Sequence, residues 1–247
     1  MQWNKTQIKQ HKKAAEILGK IIKYVAEFIK NNSYATEVEV RQFIKTQYKK
    51  YHLISDKQKS IIAFNKNTSN VHYFAEQSHQ LKNNNLIMVD IWAKLAEKNA
   101  PFADITWMLY YGKNLPKQYA DIFRIVAKAR DKAINYLRNN LKRKIIPIGK
   151  DIDAIARNYL DKHGYGDKFL HSAGHSLGFT SPHGKRVLIN RKGRQSLPLN
   201  VGYTIEPGIY FKNKFGVRSE INFFINKNYK LIITTKIQKK IIKISAY

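Results

Sequence analysis

At 247 residues, 43% of them hydrophobic and 12% aromatic, the chain can bury the core of one globular domain and does not read as a disordered segment. It contains no cysteine, which excludes disulfides and thiolate zinc sites and leaves oxygen and imidazole as the available metal ligands. The net charge of +28, from 45 Lys+Arg against 17 Asp+Glu, invites a polyanion. The lysines are scattered among Asn and Ile, however, so a solvated basic surface is expected and a dedicated nucleic-acid partner is not. The opening MQWNKTQIKQHKK carries no apolar run of the signal-peptide kind and no later segment reaches a membrane span, so a cytoplasmic location is expected.

Taken in order, the first periodic stretch is AAEILGKIIKYVAEFIK, residues 14–30. Ala15, Ile17, Leu18, Ile21, Ile22, Val25, Phe28 and Ile29 recur there at helical spacing and predict an amphipathic helix against a core. Asn31-Asn32-Ser33 ends it, and Thr36 with Glu39 forms a capping-box pattern that opens a second helix through about Tyr48. Residues 61–64 are a short strand candidate. In VHYF, His72 stands beside aromatic residues and by itself reads as packed core.

LIMVDIW and DITWMLY are apolar strand candidates that fold back through a polar loop, and symmetry about Glu97 sets Asp90 opposite Asp104. The loop's length is expected to collect in AEKNAP at the hairpin tip. From Leu115 to about Leu141 runs a long amphipathic helix with Pro116 in its first turn. A shorter one follows in IPIGKDIDAIARNYLDKHG, with Ile152, Ile155, Ala156 and Leu160 inward and Gly164 as its stop. Helices then strands, twice over, predict an internal structural duplication although no sequence repeat is visible.

The chemistry concentrates in HSAGHSLGFTSPHG, TIEPGIY and GVRSE, between His171 and Glu220. Residues 204–210 and 217–225 are strand candidates joined by a polar turn, and symmetry about Asn213 sets Glu206 opposite Glu220. Like charges opposed on neighbouring strands destabilise a sheet. A chain that does this twice needs a cation there or a shared proton. Carboxylates with one or two imidazoles suit divalent manganese, cobalt, iron or zinc, and four carboxylates can bridge two ions. Gly174 lets the backbone approach closely at His175, and Pro207-Gly208 turns the chain away after Glu206.

The ordered set of Asp90, Asp104-Ile-Thr, His171-x-x-Gly-His175, Thr-Ile-Glu206-Pro-Gly and Arg218-x-Glu220 resembles the pita-bread (M24-type) metallopeptidases, the family of methionine aminopeptidase, aminopeptidase P and prolidase. The resemblance covers nearly the whole chain, to about Ile225. It implies an α+β pita-bread fold, a curved and mostly antiparallel sheet under helices with a pseudo-twofold, here as a single catalytic domain over 1–247 without the separate N-terminal domain of aminopeptidase P. It implies two divalent ions, manganese or cobalt first and zinc or iron as alternatives, with Asp90 on one, His175 and Glu206 on the other, and Asp104 and Glu220 bridging. Glu206 would also move the proton between water and the leaving amine. His171 and His183 match the histidines that contact substrate and stabilise the tetrahedral intermediate, although His183 falls one residue late and Gly184 replaces the usual glutamate. His72 and Arg218 match substrate-pocket residues.

The short step from Glu206 to Glu220 looks like aminopeptidase P and prolidase, implying a metal-dependent exopeptidase for Xaa-Pro bonds. Methionine aminopeptidase, or a non-catalytic pita-bread binding module, is the alternative. The partners implied are a peptide substrate and no membrane, with a homodimer left open.

Overall fold

The computed structural model describes residues 2–57, 60–74 and 79–245, the side chain of Arg186 apart. The first helix, α1 (Lys5–Asn31), starts upstream of the apolar run because Asn4 caps it. The Asn4 side chain accepts the Gln7 backbone N–H at 2.9 Å, and Gln7 Oε1 accepts the Asn4 N–H at 3.0 Å. This is the reciprocal capping logic in amide form. The predicted Thr36–Glu39 box does open α2 (Glu37–Lys50).

Twelve strands follow among the described residues, with two more α-helices between them. They are β1 (Leu53–Ile54), β2 (Ile61–Phe64), β3 (Asn85–Leu95) and β4 (Ala103–Tyr111), then α3 (Lys117–Lys142) and α4 (Gly149–Lys162). After these come β5 (Gly174–Leu177), β6 (His183–Ile189), β7 (Gly202–Ile205), β8 (Gly208–Phe211), β9 (Phe215–Arg218), β10 (Ile221–Ile225), β11 (Leu231–Ile233) and β12 (Ile242–Ile244). One sheet has the order β1-β3-β4-β12 with β2 also on β3, and a second has the order β11-β10-β7-β5-β6. A β8–β9 ribbon completes the set, and within the first sheet β12 runs parallel to β4. Each predicted long strand near Glu206 and Glu220 is thus two short ones, broken at the glutamate.

Alternation along β3 and β4 sorts their side chains. Ile87, Val89, Ile91, Ala93, Ile105 and Leu109 pack with α1 and α2. Leu86, Met88, Trp92, Phe102, Met108 and Tyr110 join the core shared with α3, α4 and the second sheet. Asp90, Asp104 and Thr106 fall on this second face. In α4 the buried positions are Gly149, Ile152, Asp153, Ala156 and Leu160. Ile155, expected inward, is only half-buried, and the inward place goes to Asp153, whose charge Arg157 meets through two hydrogen bonds at 2.8 and 2.9 Å.

His11 on α1 is fully buried. Its Nδ1–H donates to the Phe102 carbonyl at 2.9 Å and its Nε2 accepts from the Thr234 hydroxyl at 2.7 Å. Burial pushes its pKa from the ordinary 6.5 down to about 4, against the Phe102 hydrogen bond. The unfolded chain therefore takes up this proton first. The stabilisation is complete above the ordinary value and is lost as pH falls toward about 4. Moving from about pH 7 to about pH 5 is expected to cost about 2 kcal/mol through this group alone. Unfolding free energies from urea titrations of the metal-free protein at the two pH values should differ by that much more in wild type than in His11→Asn.

Candidate metal centre

The second sheet and the β8–β9 ribbon together set the glutamates. β8 pairs with β9 through Gly208↔Arg218 and Phe211↔Phe215, and β7 pairs with β10 through Ile205↔Ile221. Between these ladders Ser219 donates its N–H to the Pro207 carbonyl at 3.2 Å. One register therefore runs through both pairs, symmetric about Asn213, and Glu206 and Glu220 stand opposite each other as predicted. Asn213 holds the turn at φ 58°, a left-handed conformation that Asn tolerates better than most residues.

The aspartate hairpin differs from expectation. Its pairs include Asp90↔Thr106 and Trp92↔Asp104, so the symmetry centre is Lys98 rather than Glu97, and Asp90 is not opposite Asp104. The shift moves each partner by two residues, which keeps both carboxylates on one face because strand side chains alternate with period two. The tip, 96–102, takes up the loop length as expected.

All nine sequence-selected residues line one cavity of about 230 Å³: His72, Asp90, Asp104, His171, His175, His183, Glu206, Arg218 and Glu220. Ligand atoms of Asp104, His175 and Glu220 lie within 4.8 Å of one another, and all three side chains are buried. His175 Nε2 is 3.2 Å from Glu206 Oε1 and 3.7 Å from Asp104 Oδ2. Its Nδ1–H donates to the Ser176 carbonyl at 3.1 Å, which fixes the ring and turns Nε2 toward the carboxylates. Close approach of β5 to β7 requires Gly174, where an added Cβ would collide with the Thr204 carbonyl oxygen.

Arg218 takes the remaining carboxylates. Its Nη2 is 2.9 Å from Asp90 Oδ2 and its Nη1 is 3.7 Å from Glu206 Oε2. Burial disfavours the guanidinium charge, but Tyr210, Asp90 and Glu206 around it hold its pKa above the ordinary value. Burial likewise disfavours the Glu206 carboxylate, yet the His175 hydrogen bond and the charges of His175 and Arg218 leave it well below the usual range. Asp104 and Glu220 go the other way, raised well above the ordinary value by burial and then by neighbouring carboxylates. Burial also lowers His175, but Glu206 and Asp104 outweigh it and lift the imidazole to about 9.

A divalent cation fits this set on two grounds. Asp104 Oδ1 and Glu220 Oε1 are buried without a hydrogen-bond partner, and an unsatisfied buried oxygen costs about 1–3 kcal/mol or more. The donors are hard oxygens with one imidazole, which is divalent transition-metal chemistry.

Several contributors lay outside the sequence reading. Thr106 donates its hydroxyl to Glu220 Oε2 at 2.8 Å, and Thr204 donates to Glu206 Oε1 at 3.0 Å. Both sit two residues from a carboxylate along a strand, and that alternation was the available signal. Tyr210 donates its hydroxyl to His171 Nε2 at 2.8 Å, while His171 Nδ1–H donates to the Ser172 carbonyl at 2.8 Å. Burial lowers the His171 pKa to about 4, so the ring is neutral. His183 lies tilted against His175, ring centres 4.2 Å apart, and His72 lies at the exposed rim.

Asn222 ties the two sheets together at the site. Its side-chain amide donates to the Asp104 carbonyl at 2.6 Å and accepts the Asp104 N–H at 2.9 Å. Asn222→Ala orphans both buried main-chain groups and should cost about 3 kcal/mol, read from denaturant midpoints. Asn222→Asp keeps the acceptor but sets a buried carboxylate against the Asp104 carbonyl, so it should recover none of that loss at neutral pH.

A sequence profile of metallopeptidase family M24 matches residues 9–227. An uncharacterized peptidase of Methanocaldococcus jannaschii is 31% identical over 227 residues, covering 91% of this chain and 61% of its own length. A prolidase from Thermococcus sibiricus superposes with a TM-score of 0.83 at 27% identity, over 97% of this chain and 61% of its own. For an X-Pro aminopeptidase from Thermotoga maritima the values are 0.84, 26%, 98% and 64%. The chain thus spans about three-fifths of the length of the curated relatives it matches. No helix among the described residues is long and apolar enough to cross a membrane. With the mixed helix-and-sheet frame of the pita-bread enzymes and a match running through every segment that supplies the buried cluster, the chain belongs to metallopeptidase family M24.

Proposed function

We propose that this chain is a metal-dependent exopeptidase acting on the N-terminal bond of short peptides, with Xaa-Pro as the favoured class. Asp90, Asp104, His175, Glu206 and Glu220 would hold two divalent ions, manganese or cobalt first. The observation that carries the reading is the buried cluster with two unpartnered carboxylate oxygens, facing the same cavity as three further histidines. When bound, such ions polarise the scissile carbonyl and make water a nucleophile near neutral pH.

The chain's own groups do the rest. Glu206 is ionised at neutral pH, the state needed to accept a proton from water and return it to the leaving nitrogen. Thr204 fixes Oε1 of that carboxylate by donating to it, and Arg218 balances its charge from the Oε2 side. His171 is oriented by the Ser172 carbonyl, and its Nε2 shares the Tyr210 proton. Turned from Nε2 toward the substrate, the Tyr210 hydroxyl would supply a donor against an oxyanion, a role worth about 10²–10³ in rate when lost. His183 and His72 at the open side contact the peptide. The names of the similar solved enzymes, a prolidase and an X-Pro aminopeptidase, support proline in the second position.

The test is metal content after purification, followed by hydrolysis of Xaa-Pro and Met-Xaa peptides with added manganese or cobalt. Cleavage of Xaa-Pro peptides is the expected result. Preference for Met-Xaa moves the chain to the methionine-aminopeptidase class, and retained metal without cleavage of either makes it a binding module.

A further inference from the structure

The hairpin register puts an unexpected residue next to the cluster. Trp92, not Asp90, stands directly across from Asp104. Two residues along the strand from Asp90, it shares that residue's face and lines the same cavity. Its position is fixed from three sides. The indole N–H donates to Asp56 Oδ1 at 2.8 Å, and the Trp92 carbonyl accepts from Ser55 Oγ at 2.9 Å and from the Tyr48 hydroxyl at 3.2 Å. Asp56 and Ser55 lie just beyond β1, so this short edge segment braces the cavity wall.

A buried tryptophan ordinarily finds some partner for its N–H, and packing alone would account for a ring in the core. Two features go further. The partner is a half-buried carboxylate, which is costly to desolvate compared with a neutral acceptor. The cavity that the ring walls is about 230 Å³, below the roughly 300–1,000 Å³ of ordinary small-molecule sites. With its only donor committed to Asp56, the ring offers the cavity an apolar wall with nothing to hydrogen-bond.

We propose that Trp92 is the size-selecting wall of the substrate cavity and that Asp56 is the positioning residue that locks its indole. The group seated beside Asp104 must then be compact and apolar, a small aliphatic residue or a proline ring, and a bulky aromatic residue is shut out. This deepens the peptidase reading and rests on it for its activity arm.

The experiment compares Ala-Pro with Phe-Pro and Ala-Phe in wild type, Trp92→Ala, Asp56→Ala and Asp56→Asn. One ill-fitting methylene in an apolar pocket discriminates by about 10–200-fold. Wild type should therefore favour Ala-Pro over at least one bulky dipeptide by about tenfold or more in kcat/KM. Trp92→Ala should shrink that ratio to within about threefold. Asp56→Ala should shrink it in part, with the change in KM rather than kcat, and Asp56→Asn, which keeps an acceptor for the indole, should restore it.

The second arm needs no turnover. In a protein with Trp3→Phe and Trp107→Phe, Trp92 is the remaining tryptophan, and its emission reports binding of the same dipeptides. Asp56→Ala should shift that emission to the red. If wild type cleaves none of the dipeptides, the Xaa-Pro reading fails, and tighter binding of Ala-Pro than of the bulky pair still upholds the wall. Equal binding of all three, no binding of any, or an unchanged ratio in a natively folded Trp92→Ala or Asp56→Ala overturns it.

Discussion

Titrating metal-free protein with manganese at neutral pH is expected to raise its melting temperature by about 5–10 °C. An ion at about a hundred times its Kd contributes about 2.7 kcal/mol, and each kcal/mol moves the midpoint of a domain of this size by about 2–4 °C. The sign with pH follows from the cluster. Asp104 and Glu220 are raised, first by burial, so in the metal-free fold they contribute stability at low pH that is lost as pH rises through their raised values. The ion removes that loss, and the gap between loaded and metal-free protein should widen from about pH 5 to about pH 8. His175, lifted to about 9, must give up its proton to ligate, so binding should release protons into weakly buffered solution.

A variant separates this from general ion stabilisation. Glu220→Gln removes a buried carboxylate with an unpartnered oxygen, so the metal-free variant should melt above metal-free wild type while its response to manganese falls away. Wild type that melts at one temperature with and without ions would end the metal reading.

Much of this was legible because the decisive residues lie in segments that carry their own punctuation. Asn213 sits between the flanking lysines of a short turn, and its left-handed backbone fixed the centre of the glutamate hairpin to the residue. The aspartate hairpin has no such mark. Its tip is long, Asn99 rather than Glu97 has the left-handed backbone, and the centre moved by one. The cluster survived the misreading because the move preserved the face of every side chain, and the cost was Trp92, whose position across from Asp104 no periodicity reveals. The partners of Thr106, Tyr210 and Asn222 were illegible for another reason. Each meets its partner from a different element, Thr106 and Asn222 more than a hundred positions along the chain, and a polar residue in an apolar strand does not name its partner. Asp153 is the same problem on a helix, where a buried carboxylate with Arg157 four residues on looks like any surface pair until burial is known.

Glu206→Gln is expected to lower turnover of Xaa-Pro peptides by about 10²–10⁴-fold, the range for losing a positioned proton-transfer group. The fold should hold, because glutamine keeps the size of the side chain and an oxygen that can accept from Thr204 Oγ1. What it loses is the charge that His175 and Arg218 hold ionised. Because Glu206 also faces His175 Nε2 at 3.2 Å, the variant must be assayed at saturating metal with its metal content measured, so that a weakened site is not mistaken for a lost proton carrier. Glu206→Asp keeps the charge but draws it back by one methylene, and it should fall between the two. If metal-replete Glu206→Gln hydrolyses peptides at the wild-type rate, the proton is carried elsewhere. The neutral His171 with its Tyr210 partner then becomes the group to test, because it already shares a hydroxyl proton at the wall of the same cavity.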